Sequence, residues 1–364
     1  MSESLETLKA SKLPRVAAAI AATAAPIARY LELLALLANE MAWYRVDQRV
    51  GPNLGAVAQA LRVTPKMLVQ KPELIPVYYP LPGTSLRPSD QMAKPLFVAY
   101  RSTNGAAATR HTFFASAETT ALILAGCESA TNVGATVADL PTPSGIAYLA
   151  RDDGDSLFLL WHTEDEAVLT VQVATPARLA AFLAHDGAAR EGRHGWIFGR
   201  STYLPLPTVE ATLSAPDSDE PPVPIEVEGG LTYTADNSES DAMRAIYQGW
   251  TQPQMLRLML SFTHMLRQEK LIDTSTVSAS GSASSRSRRG GPGSVTYLSY
   301  RPRTSSASRA SSTRTYSHRW VVRGHWRRQW YPSQNRHHPI WITEYIAGPD
   351  NSPVKLSDKV TIIR

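Results

Sequence analysis

A stretch near the C-terminus, residues 318–332, limits the possible folds more than any other part of the chain. It reads HRWVVRGHWRRQWYP, and at the two-residue period of a β-strand its side chains separate onto two faces. One face is apolar apart from Gly324 and Arg328, and its members are Trp320, Val322, Trp326 and Trp330. The other face is basic and rich in hydrogen-bond donors: Arg319, Val321, Arg323, His325, Arg327 and Gln329. The pattern predicts a strand that packs one face into a core and offers the other to a partner.

The charge of the chain is strongly asymmetric. Residues 274–364 contain 15 Lys or Arg and three Asp or Glu, so this segment carries +12. Because the whole chain of 364 residues has a formal net charge of +5 at pH 7, residues 1–273 carry −7. An acidic body with a basic C-terminal quarter favours a polyanionic partner at that end, such as RNA or DNA. The alternative is a basic segment that only stays solvated and flexible.

The cysteine content and the N-terminus indicate a cytoplasmic protein. Cys127 is the only cysteine, which excludes an internal disulfide and fits a reducing compartment; we expect a small buried side chain. The apolar run at residues 16–28 is shorter than the ~20 residues of a spanning helix, and the mixed charges before it are not those of a signal peptide. The sequence therefore predicts neither a membrane contact nor a cofactor, and it leaves the oligomeric state open.

Length and local composition divide the chain into several parts, because ~150 residues per domain gives two or three domains. Strands and helices form separate groups along the sequence instead of alternating, so we predict an α+β fold with an antiparallel sheet and packed helices. The predicted parts are a helical region at 1–80, an α+β body at 81–273 with an acidic loop at 210–241, a disordered Ser/Arg-rich tether at 274–317, and a basic, Trp-rich antiparallel β-module at 318–364.

Turn residues and apolar periodicity predict the individual helices and strands. A meander of three antiparallel strands is predicted at 146–150, 156–162 and 166–174. Further strands are predicted at 95–100, from residue 195 and at 295–300, and helices at 115–126, 176–185 and 251–271. The last helix is apolar around most of its circumference, so His264 on it is expected to be a hydrogen-bonded core residue. In the module we expect strands at 319–329, 340–346 and 358–363.

Residues 54–68 resemble the helix-turn-helix of bacterial regulators. Thr64 is a suitable N-cap, and Pro65 suits the first position of a second helix. Arg62, however, occupies the turn position that usually holds glycine, and Pro72 ends the second helix early. The segment therefore predicts either a DNA-reading element or an ordinary helical hairpin.

The basic face of residues 318–332 predicts nucleic-acid binding, in which arginines hold phosphates while aromatic rings stack on unpaired bases. The expected binding residues are Arg319, Arg323, His325, Arg327, Arg328, Tyr331 and Trp341. A stronger hypothesis is metal-independent cleavage of RNA, for which His325, Arg323 and Arg327 are the candidate catalytic residues. No acidic or thiolate residue has the spacing of a metal site with the histidines. The alternative is structural, with the arginines paired to the acidic body and the tryptophans filling a core.

Four segments together resemble a known group of proteins: residues 140–145 (LPTPSG), 318–333, 339–342 (PIWI) and 348–349. They are similar to uncharacterised actinobacterial proteins that often occur on phage and other mobile DNA. The core RGHWR at residues 323–327 also resembles, more distantly, a family of phage anti-CRISPR proteins that lower the transcript of their target effector. The first resemblance implies no activity, whereas the second implies action on a nascent chain or its messenger RNA. A protein-interaction factor of mobile DNA, without catalysis, is the alternative to nucleic-acid binding.

Overall fold

The computed structural model describes residues 5–28, 93–109, 111–130, 134–164, 168–184, 189–192, 195–198, 206–213, 223–224, 250–278, 294–301, 317–334, 336–349 and 352–353. The predicted helix-turn-helix at 54–68 and the predicted strand at 358–363 lie outside the described residues. Most of the predicted acidic loop at 210–241 also lies outside them. The loop prediction is wrong at 210–212 and at 223–224, because these residues lie in strands.

A mixed sheet of eight strands forms the centre of the described chain. Its strands are β1 (His111–Ala115), β2 (Ser144–Leu149), β3 (Leu157–Glu164), β4 (Val168–Ala174), β7 (Thr208–Thr212), β8 (Val223–Pro224), β9 (Ile272–Ser278) and β10 (Ser294–Tyr300), with a separate hairpin of β5 (Ala189–Gly192) and β6 (Gly195–Phe198). The spatial order is β8-β7-β4-β3-β2-β1-β10-β9. The predicted α+β class and the antiparallel meander of β2, β3 and β4 are confirmed. The sheet is mixed because β1 runs parallel to both β2 and β10.

Helices cover both faces of this sheet. They are α1 (residues 13–28), α2 (Ala93–Ala108), α3 (Ala117–Ser129), α4 (Pro176–Ala184) and α5 (Gln252–Leu266). The first, second and fourth pack on one face, and α3 and α5 pack on the other. Tyr148 and Phe158 belong to the first of these cores, whereas their neighbours Leu149 and Leu159 belong to the second. Burial on both sides explains why the apolar runs of β2 and β3 are continuous.

Helix α2 replaces the strand that was predicted at residues 95–100. The run PLFVAY is apolar throughout, and so short a run fits a buried strand and a buried helix equally well. The residues that follow decide between them, because the buried positions recur at helical spacing: Ala99, Tyr100, Ser102, Thr103, Ala106 and Ala107. The strand prediction is therefore wrong.

Helix α5 lies where the sequence predicted it, and it ends at Leu266. Its start is fixed by a capping box in which the Thr251 hydroxyl accepts from the amide of Gln254, whose own Oε1 accepts from the Thr251 amide at 2.8 Å. His264 is 3% exposed, and its Nε2–H donates to the carbonyl oxygen of Gly134 at 2.8 Å. The prediction of a hydrogen-bonded core histidine is confirmed.

Two strands of the sheet lie inside the segment that was predicted as a disordered tether. β9 and β10 pair with each other, and β10 also pairs with β1 near the middle of the sheet. The expected strand at 295–300 is thus confirmed, and the tether prediction is corrected at 274–278 and 294–300. Val295 and Leu298 anchor β10 because both are buried. The Ser/Arg-rich residues around β10 make the segment as a whole resemble a disordered one in composition. Residues 279–293 and 302–316 lie outside the described residues.

Candidate nucleic-acid interface

The C-terminal module consists of two antiparallel ribbons. β11 (Trp320–Val322) pairs with β14 (Tyr345–Ala347), and β12 (His325–Tyr331) pairs with β13 (Arg336–Ile342). The strands predicted at 319–329 and 340–346 are therefore each divided in two. Gly324 lies at the first division and directly against the ring of Trp341, since a Cβ on it would be 2.5 Å from Cζ2 of that tryptophan. Only glycine fits this close approach.

One face of the β12–β13 hairpin packs on the body. Trp326 and Trp341 lie opposite each other, with ring centroids 5.2 Å apart and planes at 67°. The indole N–H of Trp326 donates to the carbonyl oxygen of Gly126 in α3 at 3.0 Å, and its ring meets His264 of α5 edge-on at 5.9 Å. A Cβ on Gly126 would be 2.3 Å from the Oγ of Ser261 in α5 and 3.2 Å from the Nε1 of Trp326, so the glycine lets both α5 and the indole approach α3 closely. The expectation that the tryptophan face of residues 318–332 supplies the docking surface is confirmed for Trp326, which packs against the main core.

The side chain of Gln268 holds the second strand of the same hairpin. Its Nε2 donates to the carbonyl oxygen of Pro339 at 3.2 Å, and its Oε1 accepts from the amide of Trp341 at 3.4 Å. One amide group just beyond α5 therefore bonds the β13 backbone at two points. A two-stranded hairpin is marginally stable alone, and these contacts make it part of the body.

Two tryptophans of the module have exchanged the roles that the sequence predicted for them. Trp341, a predicted base-stacking residue, is 6% exposed and belongs to the main core, so that prediction is wrong. Trp330, assigned to the core-facing side, is 42% exposed, and its ring lies 4.9 Å from that of His337. Trp330 shares a face with Trp326, but it lies four residues, or ~13 Å, farther along the strand. The sequence assigned Trp330 to the correct face of the strand, but α3 and α5 cover only the part of that face near Trp326.

The remaining predicted binding residues lie mainly on the exposed surface of the module. Arg323, Arg327 and Arg328 are exposed, Tyr331 is 37% exposed, and His325 is half-buried. Arg319 differs from them, because it is half-buried and its Nε has no hydrogen-bond partner in the described part of the chain. The structure thus brings most of the predicted set onto one element, the hairpin, and adds Trp330 to it.

The electrostatic character of this surface is positive. Residues 317–349 contain five arginines and a single acidic residue, Glu344, which gives a formal charge of +4. Arg323 and Arg327 form no ion pair with the acidic residues that the structure describes, and Arg327 instead donates to the Oε1 of Gln329 at 2.8 Å. By contrast, Arg267 and Arg301 of the body pair with Asp139 and Asp273. The two module arginines are available to a polyanion.

The candidate catalytic residues do not form an acid–base pair in this structure. The Nδ1–H of His325 donates to the carbonyl oxygen of Arg323 at 2.9 Å, which leaves its Nε2 for a ligand. His338 is on the same face, but its partner Gln329 lies four residues from His325, so the two imidazoles are separated by ~13 Å along the ribbon. Cleavage of RNA needs a base and an acid at one phosphate. The described residues supply an exposed surface of arginines and aromatic rings, and both binding and cleavage of RNA stay predictions.

Sequence reasoning missed a hydrogen-bonded pair of polar side chains in the body, one buried and one half-buried. Ser144 and His162 are partners across β2 and β3, and Ser144 Oγ lies 2.7 Å from His162 Nδ1. Burial lowers the pKa of His162, with Glu164 opposing the shift and Arg101 adding to it. Ser144 is buried, and this hydrogen bond gives its hydroxyl a partner inside the sheet. No local sequence signal shows this contact, because the two residues are 18 positions apart.

Cys127 has the environment that the sequence predicted for it. It is 8% exposed, and its thiol lies 3.7 Å from the carbonyl oxygen of Gln254. Burial raises the pKa of the thiol to about 11, so it stays protonated and unreactive near neutral pH. The prediction of a small buried side chain is confirmed.

In the described ranges, no helix has the length and apolar character needed to cross a membrane. No three metal-ligating side chains cluster in those ranges either. Comparison with protein-family models, with curated proteins and with solved structures finds no match for this chain.

Proposed function

We propose that this chain binds nucleic acid, with unpaired RNA as the favoured ligand, through the exposed surface of its C-terminal module. One observation carries the proposal: Trp330 and Tyr331 are exposed at the end of an anchored hairpin, next to Arg327 and Arg328. Six large apolar side chains are exposed among the described residues, and Trp330 and Tyr331 are the two of them that lie on this hairpin. Exposed rings among arginines suit a ligand that combines bases with phosphates.

The physical argument divides the binding energy between two kinds of contact. Arginines that neutralise phosphates release counterions, which gives affinity that depends on salt and little on sequence. An aromatic ring that stacks on a base contributes about 1–3 kcal/mol, and it needs a base that is not already stacked in a duplex. The anchoring of the hairpin by Trp326 and Trp341 fixes the rings before binding, so less conformational entropy is lost on association. These contacts favour a single strand over a continuous duplex.

The test is a salt titration of the full-length protein with a fluorescent single-stranded oligouridine. If Arg323, Arg327 and Arg328 each contact one phosphate, the slope of log affinity against log salt is about −2, or ~20-fold weaker binding between ~50 and ~200 mM salt. The double variant Arg327→Ala/Arg328→Ala should lower that slope to about −0.7. Arg101→Ala is the matched control, because Arg101 lies on α2, across the sheet from the module. The proposal would be refuted if the protein showed no salt-sensitive binding to the RNA at any ratio of protein to RNA.

Full-length protein is essential in this test. An isolated fragment 318–364 would lose Gln268 and the α3 and α5 surfaces that hold the hairpin. A deletion of 274–364 would remove β10 and most of β9 from the central sheet. Loss of binding in either fragment would report unfolding, so point variants are the informative change.

A second candidate function is protein binding, and one observation favours it. Val321 and Ile346 face each other across β11 and β14, and both are exposed, with Tyr345 beside them. An apolar pair of this kind suits a protein partner, whose binding would change little with salt. Val321→Ser would weaken such a partner while leaving the RNA affinity unchanged. A role in phage–host conflict and DNA reading by residues 54–68 rest on sequence alone and stay predictions.

A further inference from the structure

The distal half of the β12–β13 hairpin carries the same kinds of side chain on both of its faces. Successive strand residues point to opposite sides, so Arg328 and Trp330 lie on one face and Arg327 and Tyr331 on the other. Each exposed ring also has a histidine from β13 beside it. Trp330 lies 4.9 Å from His337, and Tyr331 lies 5.2 Å from His338. The pattern of arginine, aromatic ring and histidine therefore occurs twice, once on each face.

Both copies of this pattern are open to solvent. At the base of the hairpin, Trp326 and Trp341 pack against the body, and Gln268 bonds the backbone of β13. The body therefore covers one face of the hairpin there. Beyond the base the cover ends, and Trp330 and Tyr331 are 42% and 37% exposed. The hairpin thus projects from the body with an aromatic ring on each side of its tip.

A single strand that runs along one face meets only one of the two rings. To stack on both, it would have to turn around the edge of the ribbon and break its own stacking on the way. Two strands that separate at the end of a duplex present a different arrangement. Each offers an unstacked base and a phosphate backbone, and the two backbones diverge on either side of whatever lies between them.

We infer that the hairpin tip binds nucleic acid at a fork, where two strands separate, and that it lies between them. Trp330 stacks on the terminal base of one strand and Tyr331 on that of the other, while Arg328 and Arg327 contact the two backbones. The positive charge of residues 317–349, +4 with Glu344 as the single acid, suits a site bordered by phosphates on both sides. This inference rests on the proposed function, since it names the form of nucleic acid that the same surface prefers.

The experiment compares three RNAs of the same nucleotide content with the full-length protein at one salt concentration. They are a single strand, a fully paired hairpin duplex, and a shorter duplex whose remaining nucleotides form two unpaired arms. We expect the forked RNA to bind about tenfold more tightly than the single strand, which is the effect of one additional stacked base. It should bind about a hundredfold more tightly than the paired duplex, whose stacked bases meet neither ring. Fluorescence anisotropy with competition by unlabelled RNA measures the ratio directly.

Variants of the two rings test the same inference at the residue level. Trp330→Ala and Tyr331→Ala should each weaken fork binding by about tenfold, whereas only one of them should affect the single strand. Tyr345→Ala is the matched control, because Tyr345 is an exposed aromatic residue of the same module on β14 and not on the hairpin. All three side chains are exposed, so thermal unfolding should confirm that the variants stay folded.

The outcomes separate the inference from the function on which it rests. Equal affinity for the single strand and the fork, with one ring responsible for both, would overturn the two-strand inference and leave RNA binding intact. Equal affinity for the closed duplex and the fork would also overturn it, and would indicate contacts to the backbone and wide minor groove of the duplex. Failure of all three RNAs to bind in a salt-dependent way would overturn both.

Discussion

The exchange of roles between Trp341 and Trp330 leads to a prediction about stability. Trp341→Ala removes a ring that is 6% exposed and packed against Trp326, and such substitutions cost about 3–5 kcal/mol. The Nε1 of Trp341 is buried without a hydrogen-bond partner in the described part of the chain, and deleting this unsatisfied group recovers about 1–3 kcal/mol. We therefore expect a net loss of about 2 kcal/mol. Trp330→Ala removes an exposed ring and should cost less than about 1 kcal/mol.

Two measurements check this pair of variants. Urea unfolding followed by circular dichroism gives the change in the free energy of unfolding. Hydrogen exchange of the β12 and β13 amides shows whether the loss is confined to the hairpin, where about 2 kcal/mol corresponds to roughly thirtyfold faster exchange through opening. Trp341→Phe should be milder than Trp341→Ala, because it keeps an apolar ring and removes the unpaired N–H. Equal destabilisation by Trp341→Ala and Trp330→Ala would refute the assignment of one ring to the core and the other to the surface.

Two further predictions concern the body and the close approach at Gly324. Burial holds the pKa of His162 below its ordinary value, so the unfolded chain binds more protons than the folded one just below pH ~6.5. The stability from the neutral imidazole is complete above that pH and is lost as the pH falls; thermal melts should show this slope, and His162→Gln should lack it. Gly324→Ala places a Cβ 2.5 Å from Trp341 Cζ2 and should destabilise the hairpin by about 1–3 kcal/mol, which hydrogen exchange of β12 would show as faster opening. An unchanged exchange rate would mean that the ring moves freely aside.

Local patterns predicted the elements whose signals lie within a few residues. The meander of β2, β3 and β4 follows from three apolar runs separated by polar turns. The start of α5 follows from the capping box that Thr251 and Gln254 form. In both cases the residues that determine the element are neighbours in sequence, so no tertiary information is needed.

Other features depended on contacts between distant parts of the chain. The run at 95–100 fits a helix or a strand until its burial is known, and the strand at 272–278 becomes recognisable only through its pairing with β10. The alternation in β12 separated its two faces correctly, and it carried no information on how far the body extends along one of them. That extent depends on where α3 and α5 lie, and these helices come from residues 117–129 and 252–266. Trp330 and Trp341 were therefore distinguished by tertiary structure alone.

The anchoring of the hairpin also explains how so small a ribbon can act as a binding element. Alone, two strands would have to become ordered when the ligand arrives, and that ordering would reduce the affinity. Here Trp326 and Trp341 are part of the main core, and Gln268 holds the β13 backbone, so the ordering accompanies folding of the body. The tip can then keep the rings of Trp330 and Tyr331 exposed to water. The core that holds the base of the hairpin offsets the hydrophobic stabilisation that these two rings do not contribute. An exposed tryptophan and tyrosine on an anchored hairpin contribute little to folding, and under the proposed function the bases that stack on them are the physical reason to keep them there.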